Sequence, residues 1–323
     1  MPTLKEIKGR IASVRGTLKI TSAMKLVSSA KLRKAQKATE AMRPYEGKLQ
    51  EMLAAVGGKA VAEGVAPGGW AAEGRTTPSV ANNKADAPSG VATSPAAIVA
   101  IASNSSLCGG FNANAVSKVR SVRQGGDIVY SIGRKMADAM RRDGFPSPED
   151  FSALSENPAY APAATLVEKL QQDLAEGRIS RVLLVYNHFV STARQVPVVE
   201  ELMHEIPGQA GNDEGVMPDP GNTVMPNPGN TVMPDPDRAS DAIFEPSRKE
   251  LREALEPKLL KLKLYAALLD SAAAEHAART VAMQTATDNG EKLLQELTLQ
   301  YNKGRQQKIT SEILDLAGGQ AAQ

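Results

Sequence analysis

The sequence predicts an α/β fold in which the N- and C-terminal helices pair as a long antiparallel coiled coil around an inserted Rossmann-like α/β domain. Three observations predict it. From Leu255 to Gly304 a heptad register runs unbroken through Leu259, Leu262, Ala266, Leu269, Ala273, His276, Thr280, Met283, Thr287, Gly290, Leu294, Leu297 and Tyr301. At the other end Leu4, Ile7, Ile11, Val14 and Leu18 follow the same alternation of three and four. A 3.5-residue repeat in a helix of 3.6 residues per turn implies a left-handed supercoil with a partner helix. Between the two ends, short apolar runs alternate with helical stretches, which is the grammar of a mainly parallel sheet. The outline is a shaft with a foot, a mechanical part more than an active site.

Residues 1–56 form the N-terminal shaft helix. Thr3 with Glu6 makes a capping box after Pro2, and a helix to about Val56 would be about 80 Å long. Its apolar rhythm weakens after Leu18, and small residues collect around Ser28. Residues 57–95, rich in Gly, Pro, Ala and Ser, read as a loop insert holding the single tryptophan, Trp70. Residues 96–207 are the α/β foot domain. Strands are expected at 97–102, 128–132 and 181–186, with an edge strand at 195–199 and helices at about 113–122, 134–142 and 163–176. Residues 208–240 contain an octapeptide that recurs from Val216, Val224 and Val232. Proline in each copy removes backbone donors, so this stretch reads as a disordered repeat insert. Residues 241–323 are the C-terminal shaft helix, from near Pro246 to about Leu316 and about 105 Å long, which outreaches its partner.

Composition narrows the function. Aromatic residues make up 4% of the chain, thin for one large core but sufficient for a seam of Leu, Ile, Val and Ala. The net charge of +2 conceals an asymmetry: residues 1–50 hold twelve Lys or Arg against three Glu, leaving −7 for the remainder. A basic first helix suits nucleic acid, anionic lipid, an acidic protein surface or simply solvent. No run of about eighteen apolar residues exists to span a membrane, and the charged first twenty residues do not read as a signal peptide. Cys108, the one cysteine, allows no internal disulfide and suits a reducing compartment.

Nothing in the chain reads as an active site, and the expectation is no catalytic residue, no cofactor and no metal. There is no GxxxxGK[ST] loop, and Gly109-Gly110 lacks the spacing of a dinucleotide turn. His188, His204 and His276 lie far apart, and His276 falls on the seam, where a hydrogen-bonded packing role is expected. Cys108 reads as a small buried residue.

Several motifs now point one way. The segment Lys19 to Gln36, KITSAMKLVSSAKLRKAQ, strongly resembles the first helix of the gamma subunit of bacterial F-type ATP synthases. Ser105 to Asn112, SSLCGGFN, is similar to that family's turn after the first strand of the central domain, with Asn104-Ser105-Ser106 in place of the usual Asp-Arg-Gly. Ala278 to Gly290, Tyr301 to Gln306, and the I-T-x-E-x-x-D-x-x-x-G pattern from Ile309 to Gly319 are similar to its C-terminal helix. The resemblance covers the chain apart from 57–95 and 208–240.

The resemblance implies a central rotor stalk. It would couple proton-driven rotation of a c-ring to ATP synthesis or hydrolysis at the beta subunits of an alpha/beta hexamer, with epsilon and the c-ring at the foot. Membrane association would be indirect, at the cytoplasmic face of the bacterial inner membrane, and the chain itself would be a non-catalytic subunit. Carried over by position, Met24 would face an acidic lever segment of beta, with Lys25, Lys31, Arg33 and Lys34 beside it. Arg305, Gln306, Thr310 and Glu312 would touch loops of the hexamer, while Gly304, Gln307 and Lys308 replace the commoner Ala, Ala and Ser. The alternative is a basic coiled-coil nucleic-acid-binding or adaptor protein. No aromatic platform or docking motif supports it, so no nucleic-acid partner is expected.

Overall fold

The computed structural model describes residues 3–56, 94–204, 245 and 247–320, with side chains to 314. The two inserts expected at 57–95 and 208–240 lie outside the described residues, apart from Ser94 and Pro95.

Helix α1 spans Leu4–Ala55, and helix α6, Arg248–Gln320, closes the chain. The Thr3 hydroxyl accepts from the Glu6 N–H and the Glu6 carboxylate accepts from the Thr3 N–H, so both orphan donors are satisfied by the capping box. Between these helices lie β1 (Ala96–Ile101), α2 (Phe111–Val122), β2 (Ile128–Ile132), α3 (Arg134–Arg142), α4 (Ser152–Glu156), α5 (Tyr160–Ala175), β3 (Arg181–Phe189) and β4 (Gln195–His204). The sheet order is β2-β1-β3-β4. β1 is parallel to both β2 and β3, while β4 is antiparallel to β3, with a register shift between Val182 and Leu183. The sheet is therefore mixed, with one antiparallel edge. Strand β4 runs five residues beyond the expected 195–199 because it pairs with the whole of β3.

β1 is buried on both faces, which is why it reads as a continuous apolar run rather than an alternation. Ala97, Val99 and Ile101 point to one core, shared with Leu166, Val167 and Leu170 of α5 and Leu260, Leu264 and Leu268 of α6. Ile98, Ala100 and Ala102 point to the other, closed by Ala115 and Val119 of α2 and Met136 and Met140 of α3. Helix α6 thus carries two stripes. Leu260, Leu264, Ala267 and Leu268 cover the sheet, while Leu255, Leu259 and Leu262 join Leu49 and Leu53 of α1.

Burial along the first helix keeps a heptad rhythm to its end, while its apolar rhythm weakens after Leu18 as expected. Thr21, Lys25, Ser28, Leu32, Ala35, Thr39, Met42, Glu46, Leu49, Leu53 and Val56 are all buried or half-buried at alternating three- and four-residue spacing. The seam persists while its chemistry turns polar, so a hydrophobicity pattern loses it.

Gly133, with φ of +98°, is the tightest backbone position. A Cβ there would lie 2.2 Å from the Ala102 carbonyl oxygen, so only glycine fits the turn between β2 and α3.

Candidate functional site

The two terminal helices meet in one fixed register. The Cβ position of Gly304 lies 3.2 Å from Leu4 Cδ2, that of Gly290 lies 2.7 Å from Leu18 Cδ2, and the Thr287 hydroxyl donates to Thr21 Oγ1 at 3.0 Å. In each pair the residue numbers add to 308, as an antiparallel pairing without slip requires. The same register sets Leu53 against Leu255 and Leu49 against Leu259, which share one apolar cluster. It also sets His276 opposite Leu32.

His276 fills the seam as expected, but its Nδ1 is buried without a hydrogen-bond partner. Burial, with help from Arg279 and Lys31, pushes its pKa down to about 4, so the ring is neutral at physiological pH.

Shaft and foot are joined through buried polar groups. Asp270 of α6, 4% exposed, lies 2.7 Å from His188 Nδ1 and accepts from the Phe189 N–H at 3.3 Å, both at the end of β3. Burial raises the Asp270 carboxyl pKa, opposed by its bond to His188, and that same bond raises the imidazole against the effect of burial. Arg279, also buried, donates to Ser105 Oγ in the loop after β1 at 2.7 Å and pairs with Glu275 at 2.7 Å. Also at the junction, buried Glu46 of α1 and the Lys263 ammonium of α6 lie within electrostatic reach of the exposed Glu200 of β4, which accepts from the Tyr186 hydroxyl at 2.9 Å. Burial raises Glu46 and lowers Lys263, each partly offset by the other's charge.

Cys108 is buried, and its sulfur accepts from Asn112 Nδ2 at 3.1 Å. Among the described residues no group of three or more His, Cys, Asp or Glu is arranged to hold a metal ion.

The residues singled out from sequence fall into two regions. Met24 and Lys25 are half-buried, with Lys25 on the seam itself, while Lys31, Arg33 and Lys34 are exposed. Beside them lie Ile20, Leu26 and Val27, 61%, 71% and 57% exposed, which sequence reasoning did not single out. All three are large apolar side chains left in solvent on this stretch of α1. Their signal was available as apolar residues falling off the 4-3 register.

Arg305, Gln306, Thr310 and Glu312 are all exposed, on the part of α6 that runs past the start of α1. The Thr310 hydroxyl donates to the Gln306 carbonyl at 2.9 Å, and Lys308 stands 3.6 Å from Glu312. Ile309, Ile313 and Leu314 are exposed on the same overhang. The two regions lie far apart along the shaft, so they form separate surfaces.

A family model described as ATP synthase matches residues 3–322. The chain is 41% identical over 331 residues to the ATP synthase gamma chain of Phocaeicola vulgatus, covering 100% of both chains. It is 39% identical over 328 residues to that of Bacteroides thetaiotaomicron, covering 99% of each. Among solved structures it is similar to a chain of the Euglena gracilis mitochondrial ATP synthase, in an assembly of OSCP, F1 and c-ring, with a TM-score of 0.60 at 17% identity. That match covers 99% of this chain and 94% of the other, and at such low identity it speaks for the fold. With a paired-helix shaft, an inserted α/β foot and full-length relatives, the chain belongs to the gamma-chain family of F-type ATP synthases, the central stalk of the complex.

Proposed function

We infer that this chain is the rotor of a proton-driven ATP synthase, itself without catalysis, turning inside a hexamer of alpha and beta subunits and standing on epsilon and a c-ring. The observation that carries the reading is the asymmetry of the shaft. The outer face of its middle presents Ile20, Leu26 and Val27 beside the basic Lys31, Arg33 and Lys34, and among the described residues the tip beyond Gly304 consists of α6 alone. A single asymmetric shaft cannot meet several equivalent subunits in the same way. Each subunit therefore meets a different face and is biased toward a different conformation, and turning the shaft permutes those states.

Met24 and Lys25 belong to the middle contact, where a basic surface suits an acidic segment of beta. Arg305, Gln306, Thr310 and Glu312 belong to the tip contact, where exposed polar and apolar side chains slide past loops of the hexamer. No described helix is long and apolar enough to cross a membrane. Attachment to the cytoplasmic face of the inner membrane therefore runs through the foot and its ring.

Affinity purification of the tagged chain from membranes tests the reading. Alpha, beta, epsilon and c subunits are expected to come with it. The rigorously purified chain alone is expected to hydrolyse no ATP over multiple turnovers, and sustained hydrolysis by it would overturn the non-catalytic assignment.

A further inference from the structure

We propose that Asp270 and Arg279 are positioning residues that key the rotational phase of α6 to the foot, so that shaft and foot turn as one body. The proposal rests on the rotor reading. Between these two positions α6 meets the foot and α1 largely through alanine. Ala273 and Ala277 pack with Leu32, Ala274 and Ala278 pack with Cys108 and Phe111, and Phe189 lies against both groups. Methyl groups fill space but do not interlock, so alanine contacts alone offer little resistance to a helix turning about its axis.

The polar anchors supply what the alanines lack. Asp270 holds the end of β3 through two donors, the His188 ring and the Phe189 N–H. Arg279 holds the loop after β1 through Ser105 and is itself held by Glu275. Nine residues of α-helix make about two and a half turns, so the two side chains leave α6 on opposite sides. Contacts half a turn apart resist turning in either sense. A buried charged pair adds little net stability against an apolar replacement, but its geometry is specific, which is what a key requires.

The Asp270 anchor contains a titratable group, and this gives a readout that packing alone lacks. His188 faces Asp270 of α6, Glu200 of β4 and Arg43 of α1. The imidazole pKa is raised chiefly by its bond to Asp270, so the contribution of the charged ring is complete below the ordinary value of 6.5. It is lost as pH rises through the raised value.

Single-molecule rotation of the assembled complex, with the hexamer fixed to a surface and a probe on the foot of this chain, tests the proposal. The angular spread of the probe during a catalytic dwell reports the torsional stiffness between hexamer and foot. Asp270→Asn and Arg279→Gln are each expected to widen that spread beyond the wild-type value measured at the same pH. The spread of the wild type is expected to grow as pH rises from about 6 to 8, and that growth is expected to vanish in His188→Gln. Val129→Ala, on the sheet face away from α6, is expected to lower thermal stability without widening the spread. Spreads unmoved by both substitutions and by pH, or widened as much by Val129→Ala, overturn the proposal while leaving the rotor reading intact. A foot that never turns overturns both.

Discussion

Gly290 of α6 leaves the space that Leu18 of α1 occupies. A Cβ at 290 would stand 2.7 Å from Leu18 Cδ2 and 3.3 Å from its Cγ. Alanine for glycine gains about 1 kcal/mol in a helix interior, whereas overpacking costs about 1–3 kcal/mol. Gly290→Ala is therefore expected to destabilise the purified chain by about 1 kcal/mol, with a double-mutant cycle against Leu18→Ala showing coupling of similar size. Gly304→Ala is expected to go the other way. Its contact is 3.2 Å, and the Leu4 it meets lies in the first turn of α1, where the chain can give. Urea midpoints followed by circular dichroism measure both.

The neutral His276 predicts a loss of stability in acid. Its folded pKa of about 4 lies below the ordinary 6.5, so the unfolded chain binds the extra proton between those values. Its contribution is whole above about pH 6.5 and falls away toward pH 4. Glu46, Asp270 and Glu275 carry raised pKa values and act in the opposite sense, so the informative quantity is a difference. The stability of His276→Leu relative to wild type is expected to rise as pH is lowered through this window. A flat difference would show that the ring titrates normally.

Glu46 and Lys263 are expected to respond unequally. Burial raises the Glu46 carboxyl, so its ionised form weighs on the fold as pH climbs through the folded value. Glu46→Gln is expected to hold or raise the thermal midpoint at neutral pH. Lys263→Met removes the cation that offsets Glu46 and Glu200 and is expected to lower the thermal midpoint relative to Glu46→Gln. Thermal melts of both variants at one pH make the comparison.

At the tip, stability and function are expected to separate. Alanine at Arg305, Gln306, Thr310 or Glu312 removes an exposed side chain and is expected to move the stability of the free chain by less than about 0.5 kcal/mol. The same changes are expected to alter ATP hydrolysis by the assembled complex. Lys25→Ala, on the seam, is expected to affect both. Parallel denaturation and turnover measurements would sink the surface assignment if the tip variants lost stability and kept their turnover.

Sequence legibility followed local chemistry. The Thr3–Glu6 box fixed the start of α1, and the apolar run Ala97–Ile101 marked β1, because each signal is complete within a few residues. The rest of the α1 seam was hidden because Thr21, Lys25, Ser28, Thr39 and Glu46 occupy core positions with polar side chains. Helix α4, five residues long, is too short to show a period. The second half of β4 carries Glu200 and Glu201 beside Leu202, and this broke its apolar pattern. Asp270 and Arg279 were invisible as anchors, since their partners lie 82 and 174 residues away. For Met24, Lys25 and the four tip residues, the family resemblance supplied the assignment and the seam geometry supplied the surroundings.

The Leu–Gly pairs and the Thr21–Thr287 hydrogen bond also act as a length gauge. Leu4 and Leu18 are spaced two heptads apart, and so are Gly290 and Gly304. A slide of one heptad in either direction would bring Leu18 against Met283 or Leu297 instead of a glycine and would separate the two threonines. Only one vertical setting of α6 against α1 satisfies all three contacts. The single helix beyond Gly304 therefore projects by a set amount, about 24 Å for the stretch to Gln320. The reach of the tip above the foot is written into two missing side chains and one pair of hydroxyls.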